Sequence, residues 1–198
     1  MKTRALLVSV AAVSLLASAC GSASMSPASA PVAQSSSSMA GMGHMSPEEM
    51  AAMKGPSTSA SMICSDEIAS AVKRTFALTR RPTTTRSWSM TDLTFACTYR
   101  LPGGALRMTV QDAPDTMTGR PYFHSLRTRL TGARTIRGVQ SLGFPAFETP
   151  GGDVAFLKDG KTLRVDASNL SRSALPAGFT RQQAAYAVAA AVIACWTE

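Results

Sequence analysis

Leu93-Thr94-Phe95-Ala96-Cys97-Thr98-Tyr99-Arg100-Leu101-Pro102-Gly103-Gly104-Ala105-Leu106-Arg107-Met108-Thr109-Val110 is the stretch that decides the fold. Leu93, Phe95, Cys97, Tyr99 and Leu101 alternate with polar or small residues, the period-two pattern of a strand with one buried face. Pro102-Gly103-Gly104 turns the chain, and Leu106, Met108 and Val110 resume the alternation. Two such runs across a tight turn make an antiparallel hairpin.

Downstream, strands are expected at Ala146–Thr149, Val154–Leu157 and Thr162–Asp166. Pro150-Gly151-Gly152 parts the first two. Lys158-Asp159-Gly160-Lys161 parts the others, and its Asp-Gly suits a tight hairpin turn. Upstream, Ser65 can cap a helix with Asp66 and Glu67 in its first turn and Lys73 and Arg74 in its last, matching the helix dipole at both ends. Its buried face is Ile68, Ala71, Val72 and Phe76. A loop rich in Thr and Arg, containing Pro82, leads from it to the first strand. Pro121 suits the first turn of a second helix, with Tyr122, Leu126 and Leu130 on one side and Gly132 closing it. Thr180 and Gln183 form a capping box for a last helix that presents Tyr186, Ala189, Val192, Ile193 and Trp196. The expected order is α-β-β-α-β-β-β-α: an α+β domain, an antiparallel sheet of about five strands with three helices.

That domain is expected to span residues 63–198. Residues 20–62 are Ser, Ala, Met, Gly and Pro with almost no branched or aromatic side chains, including four serines at 35–38. Such a stretch cannot bury enough apolar surface to offset its ordering entropy and reads as a disordered stalk. Before it, Lys2 and Arg4 precede an apolar run from Ala5 to Ala17, too short to span a bilayer, and small residues lead up to Cys20. Residues 1–19 therefore read as a signal peptide. Leu15-Leu16-Ala17-Ser18-Ala19-Cys20 resembles the bacterial lipobox, whose cysteine becomes the lipid-modified first residue. That resemblance implies a lipoprotein anchored through Cys20 on the outer face of the cell membrane. It departs from the pattern in carrying Ala17, not leucine, three residues before the cysteine. Ala17-Ser18-Ala19 also fits ordinary secretory cleavage, so a freely secreted protein is the alternative.

The chain holds 20 Lys and Arg against 12 Asp and Glu, a net of +8. The arginines are scattered along the domain with no compact basic run of the kind that marks a nucleic-acid arm, and export argues against nucleic acid as partner. A basic surface suits anionic lipid, or an envelope protein or polymer. With Cys20 acylated, Cys64, Cys97 and Cys195 remain, in a compartment where disulfides persist. Cys64–Cys97 is the favoured pair, stapling the first helix to the sheet. Cys64–Cys195 is the alternative, and the leftover thiol is expected to be buried as a small apolar group.

The element order, the cysteine before the first helix, Cys97-Thr98-Tyr99 in the first strand and the Cys195-Trp196 ending resemble small actinobacterial surface lipoproteins. Over residues 64–198 the resemblance implies a PsbP-like α+β domain without an enzymatic role; it bears on fold more than on function.

The stalk has a feature of its own. Met39, Met42, Met45, Met50 and Met53 recur with His44 among them, in a chain of 11 methionines. Thioether sulfur is a soft donor that selects Cu(I), and imidazole suits copper in either oxidation state. Met42, His44 and Met45 are placed to close around one ion, with Met39 or Met50 completing the shell. The run resembles Met/His-rich segments of periplasmic copper-handling proteins. A neutral tether, or a segment that absorbs oxidant as methionine sulfoxide, are the alternatives.

No catalytic constellation stands out, so the domain is read as a non-enzymatic binding module, with copper as its one candidate cofactor. His124 is the domain's one histidine and reads as a partly exposed helix residue. No nucleophile elbow, H-E-x-x-H or C-x-x-C occurs. Asp112 and Asp115 read as turn residues rather than an acid/base pair. Trp88 and Trp196 read as core or loop residues.

Overall fold

A computed structural model describes residues 55–196. The signal peptide, the Cys20 anchor and the methionine segment all lie outside the described residues. The described chain runs α1 (Thr58–Ser61), a 3-10 turn, α2 (Asp66–Thr75), β1 (Thr83–Ser89), β2 (Thr94–Leu101), β3 (Gly104–Asp112), α3 (Thr116–Arg129), β4 (Arg134–Ile136), β5 (Ala146–Glu148), β6 (Asp153–Lys158), β7 (Lys161–Asp166) and α4 (Arg181–Cys195). The seven strands form one sheet in the order β1-β2-β3-β7-β6-β5-β4, every neighbouring pair antiparallel. The α+β class stands, with seven strands and four α-helices among the described residues in place of five and three.

The additional strands are the sheet's two edges. β1 reads Thr-Thr-Thr-Arg-Ser-Trp-Ser and is mostly exposed. It carries no apolar alternation, and what makes it a strand is β-branched threonine laid against the preformed β2. A polar edge with a charge at Arg86 also discourages pairing with foreign strands. β4 is three residues long, too short for a periodic signal.

Alternation along the central strands splits the sheet into two unlike faces. Phe95, Cys97, Tyr99, Leu106, Met108, Val110, Leu163, Val165, Val154 and Phe156 point to one side, where α2 and α4 cover them with Ile68, Val72, Val188, Ala189 and Val192. On the other side α3 covers only β5, β6 and part of β7, through Phe123 and Leu126 against Phe147, Ala155 and Leu157. The expected apolar stripe on that helix thus shifts by one residue: Phe123 is buried, and Tyr122 and Leu130 sit at its margins.

α3 also starts earlier than expected. Asp115 is its N-cap, its carboxylate accepting from the Thr118 amide at 2.8 Å, and Pro121 lies one turn inside. There the missing N–H deprives only the Met117 carbonyl, on a residue that is 84% exposed. The Thr118 bonds hold the Asp115 carboxyl below its usual range. A folded-state pKa below the unfolded one adds stability at neutral pH, and that stability is lost as pH falls through the folded value. We therefore expect Asp115→Ala to lower the Tm at pH 7, and the gap from the parent to narrow below about pH 3.8 as the parent's Asp115 is protonated. Thermal melts across that range check it.

Two capping predictions hold in detail. Ser65 caps α2 through the Ile68 amide, and Thr180 and Gln183 make the reciprocal box at α4. At the β6–β7 turn Asp159 and Gly160 both have positive φ, 48° and 80°, as a type I′ turn requires. Leu93, expected to begin β2, instead has φ 46° in the preceding turn.

Cys64 and Cys97 form the disulfide, with Cα atoms 5.5 Å apart, which excludes the Cys64–Cys195 alternative. Cys195 is half-buried against the core rather than fully enclosed. Residues 57–62, assigned to the stalk on composition, are built into the domain. Ala60 is fully buried, and the Ser57 amide and hydroxyl bind the Asp112 carboxylate at 2.6 and 2.8 Å. The Trp196 indole donates to the Ser59 carbonyl at 2.6 Å, and the Tyr99 hydroxyl to the Ile63 carbonyl at 2.7 Å. Burial pushes the Tyr99 phenol far above its usual pKa, so it stays neutral and donates. Side-chain and backbone partners, rather than apolar periodicity, fix this segment, which is why composition alone assigned it to the tether.

Candidate functional site

Because α3 covers only half of the second sheet face, the other half lies open. The strand registers set it out in rows. Ser89, Thr94, Gln111 and Thr162 form one row, and Ser87, Ala96, Thr109 and Arg164 the next. Thr85, Thr98, Arg107 and Asp166 form the third; Thr83, Arg100 and Ala105 the fourth. Hydroxyls and arginines occupy nearly every place. This is the polar side of the alternation that marked β2 and β3 as strands.

Between this face and α3 runs an open cleft of about 650 Å³. Its floor is Ser87, Thr94, Ala96, Arg107, Thr109 and Arg164; Tyr122 and Arg129 of α3 form one wall; Ser89 and Asp92 close one end. The three arginines differ electrostatically. Arg164 is tied down: its Nε and Nη2 reach one Asp153 oxygen at 2.8 and 2.6 Å, and Nη2 reaches Asp166 at 3.1 Å. Asp153 is itself held by the buried Thr149 hydroxyl at 2.9 Å. Arg164 is thus a fixed, neutralised part of the floor. Arg107 and Arg129 have no carboxylate partner among the described residues, and both are exposed. Arg129 sits over the Tyr122 ring at 5.9 Å, which orients it without neutralising it.

Three polar side-chain atoms are buried without a hydrogen-bond partner among the described residues: Trp88 Nε1, Gln111 Oε1 and Thr162 Oγ1. Trp88 packs against the core on the apolar face, and Gln111 and Thr162 face each other across β3 and β7 in the first row. Unsatisfied polar groups of this kind cost about 1–3 kcal/mol each.

The arrangement suits an anion. Guanidinium forks bind phosphate or carboxylate with two parallel hydrogen bonds, and hydroxyls supply adaptable donors around them. None of these residues was singled out as a site from sequence. Arg107 and Thr109 were visible as the polar side of the hairpin, and Arg164 as a polar position in β7. Their convergence depends on β7 lying beside β3, a pairing between strands 50 residues apart in the chain.

The residues singled out from sequence fall elsewhere. His124 is exposed on α3 beside Phe123. Asp112 binds Ser57 and lies 4.0 Å from Lys161, and Asp115 caps α3, so both do structural work. Trp196 is in the core. Met39, Met42, His44, Met45, Met50 and Met53 lie outside the described residues. Within the described residues no three His, Cys, Asp or Glu are grouped to hold a metal ion, and no helix is long and apolar enough to cross a membrane. No family model matches this chain, and neither curated proteins nor solved structures give a match.

Proposed function

We propose that the chain is an exported lipoprotein, acylated at Cys20, whose folded domain is a non-enzymatic binding module for an anionic ligand of the cell envelope. The observation that carries this reading is the pair Arg107 and Arg129, unneutralised and converging on an open, hydroxyl-lined sheet face. An antiparallel sheet often leaves one face to solvent; what sets this one apart is the cleft that α3 makes with it and the two arginines lining that cleft. Here the open rows hold threonine, serine and arginine. The apolar run before Cys20 supports export and anchoring. The Cys64–Cys97 bridge accords with an oxidising compartment.

The test is titration of the full chain, carrying Cys20→Ser so that acylation does not intervene, with short oligomers of galacturonate and of phosphate. The double variant Arg107→Ala/Arg129→Ala is expected to lose about tenfold or more in affinity while its melting curve stays that of the parent, because each arginine gives up charge-assisted bonds of about 1.5–3 kcal/mol. Arg107→Lys, which keeps the charge and loses the fork, is expected to fall between the two. Equal affinity of all three proteins for every oligomer would refute the reading.

A second activity is carried by the sequence of the tether. Five methionines and His44 within residues 39–53 are a soft-donor set with the chemistry of a Cu(I) site. A peptide covering residues 39–54 is expected to bind Cu(I) below micromolar concentration and to lose that affinity when Met42, His44 and Met45 are replaced. Binding no tighter than a scrambled peptide would leave the segment a plain tether.

A further inference from the structure

The open face has a direction. The described chain begins at one end of the strands, where Ser57 binds Asp112 at the end of β3. This proximal end also carries Asp92 in the β1–β2 turn, Asp115 opening α3 and Asp159 in the β6–β7 turn. Its two lysines are each paired to one of these acids, Lys158 to Asp159 and Lys161 to Asp112, and Arg137 lies at its far edge. The distal end carries Glu148, Asp153 and Asp166, the last two held by Arg164, together with more arginines. Arg80, Arg81 and Arg100 line a second hollow of about 540 Å³ beside Pro82 and Pro102. Arg172 stands next to it, since the Ser171 amide binds the Gly103 carbonyl of the β2–β3 turn at 2.9 Å. Of these only Arg81 has a carboxylate partner among the described residues, an exposed pairing with Asp66 at 2.9 Å.

The cleft and the distal hollow belong to one track. Arg100 and Thr83 are the fourth row of the face whose second and third rows supply Thr109 and Arg107. Rows two residues apart lie about 7 Å from one another, so four rows extend over roughly 20 Å. Along that line the positive groups are spaced, not clustered: Arg129 and Arg107 in the cleft, then Arg100, then Arg80. A single small anion engages one of these points. A chain with a charge on each repeat engages them in succession.

We propose that the ligand is a linear polyanion of the envelope, lying along the strands from the cleft to the distal end. The proposal rests on the reading of the cleft above and adds its substrate class and direction. Spaced contacts along one chain reinforce each other as linked binding events, so affinity rises with chain length until the track is filled.

The experiment uses the full chain with Cys20→Ser and two polymers, polygalacturonate and polyphosphate, each in short fractions of about three units and long fractions of about twelve. Long chains are expected to bind at least about tenfold tighter than short ones, with a steeper loss on adding salt. Arg80→Glu/Arg100→Glu is expected to abolish the gain with length and leave short-chain affinity unchanged; Arg80→Gln/Arg100→Gln serves where charge reversal unfolds the domain. Arg137→Glu, a reversal at the proximal end, is expected to change neither by more than about twofold. A preference for one polymer over the other identifies the charged group and supports the proposal. Affinity independent of length, or an equal loss from Arg137→Glu, overturns the track while short-chain binding at Arg107 survives. Tight binding of phosphatidylglycerol vesicles that depends on Arg80 and Arg100 overturns it in favour of lipid. No binding of either length removes the cleft reading along with it.

Discussion

Replacing Cys64 and Cys97 together with serine is expected to remove about 3–4 kcal/mol of stability, the largest single loss available without disturbing the packing of the sheet. The bridge closes a loop with a sequence separation of 33 residues, and constraining the unfolded chain over that length is worth about that much on the loop-entropy account. The native-state consequence compounds it. Cys97 is fully buried in β2, and Cys64 ends the 3-10 turn that follows α1. With the bridge gone, the segment 57–64 is held by the Ser57–Asp112, Tyr99–Ile63 and Trp196–Ser59 hydrogen bonds. Denaturant unfolding of parent and variant, and of the parent with and without reductant, measures both effects. The substituted chain is expected to be the less stable of the two, because serine buries a hydroxyl at position 97 where reduction leaves a thiol. A variant as stable as the parent would mean that the bridge contributes nothing beyond these contacts.

Gly119→Ala is expected to be nearly as damaging, by about 2–3 kcal/mol, and to reach the cleft as well as the fold. A Cβ at Gly119 would lie 1.8 Å from the Gly160 carbonyl oxygen, inside backbone that no side-chain rotation can clear. Helix α3 rides directly on the β6–β7 turn at this point, and a Cβ added at Gly160 would in turn lie 2.4 Å from the Asp115 backbone. The helix must therefore lift or slide, carrying Tyr122 and Arg129 with it. We expect a lower Tm, together with a loss of affinity for short polyanions larger than that of Arg129→Ala alone. An exposed alanine substitution on the same helix, Thr128→Ala, should leave both unchanged. A Gly119→Ala domain with parental stability would mean that α3 is not seated where the cleft requires it.

Much of the architecture could be read from one face of the chain. Apolar alternation identified β2 and β3, and turn residues set out β5, β6 and β7. Helix ends followed from Ser65 and from the Thr180–Gln183 box. What escaped was whatever bears no apolar signal. β1 is a strand by adhesion to β2, and residues 57–62 are ordered through hydrogen bonds to Asp112 and Trp196 that lie 55 and 137 residues away. α3 was misjudged at its start because Pro121 looked like a first-turn residue, whereas Asp115 is the cap. The cleft was hidden for a related reason. Polar alternates in a strand ordinarily mean solvent, and only the β3–β7 register, with Thr109 opposite Arg164, turns them into a shared surface. Scattered arginines in the sequence become an aligned set once four strands are laid side by side.

The bridge near the start of the domain also decides how the protein bears a pull. Were the chain anchored at Cys20 and bound to an envelope polymer as proposed, a pull between the two would enter the described domain at its start. The load arrives at residue 55 and first meets the hydrogen bonds of Ser57 and Ser59, which can peel. It then meets a covalent stop at Cys64, which hands the force directly to β2 through Cys97. Only the nine residues 55–63 can be drawn out before that stop, a slack of roughly 30 Å. Beyond it the tension runs within the sheet along the same strands that hold the ligand, so an oxidised domain yields by a short, reversible extension where a reduced one would unravel.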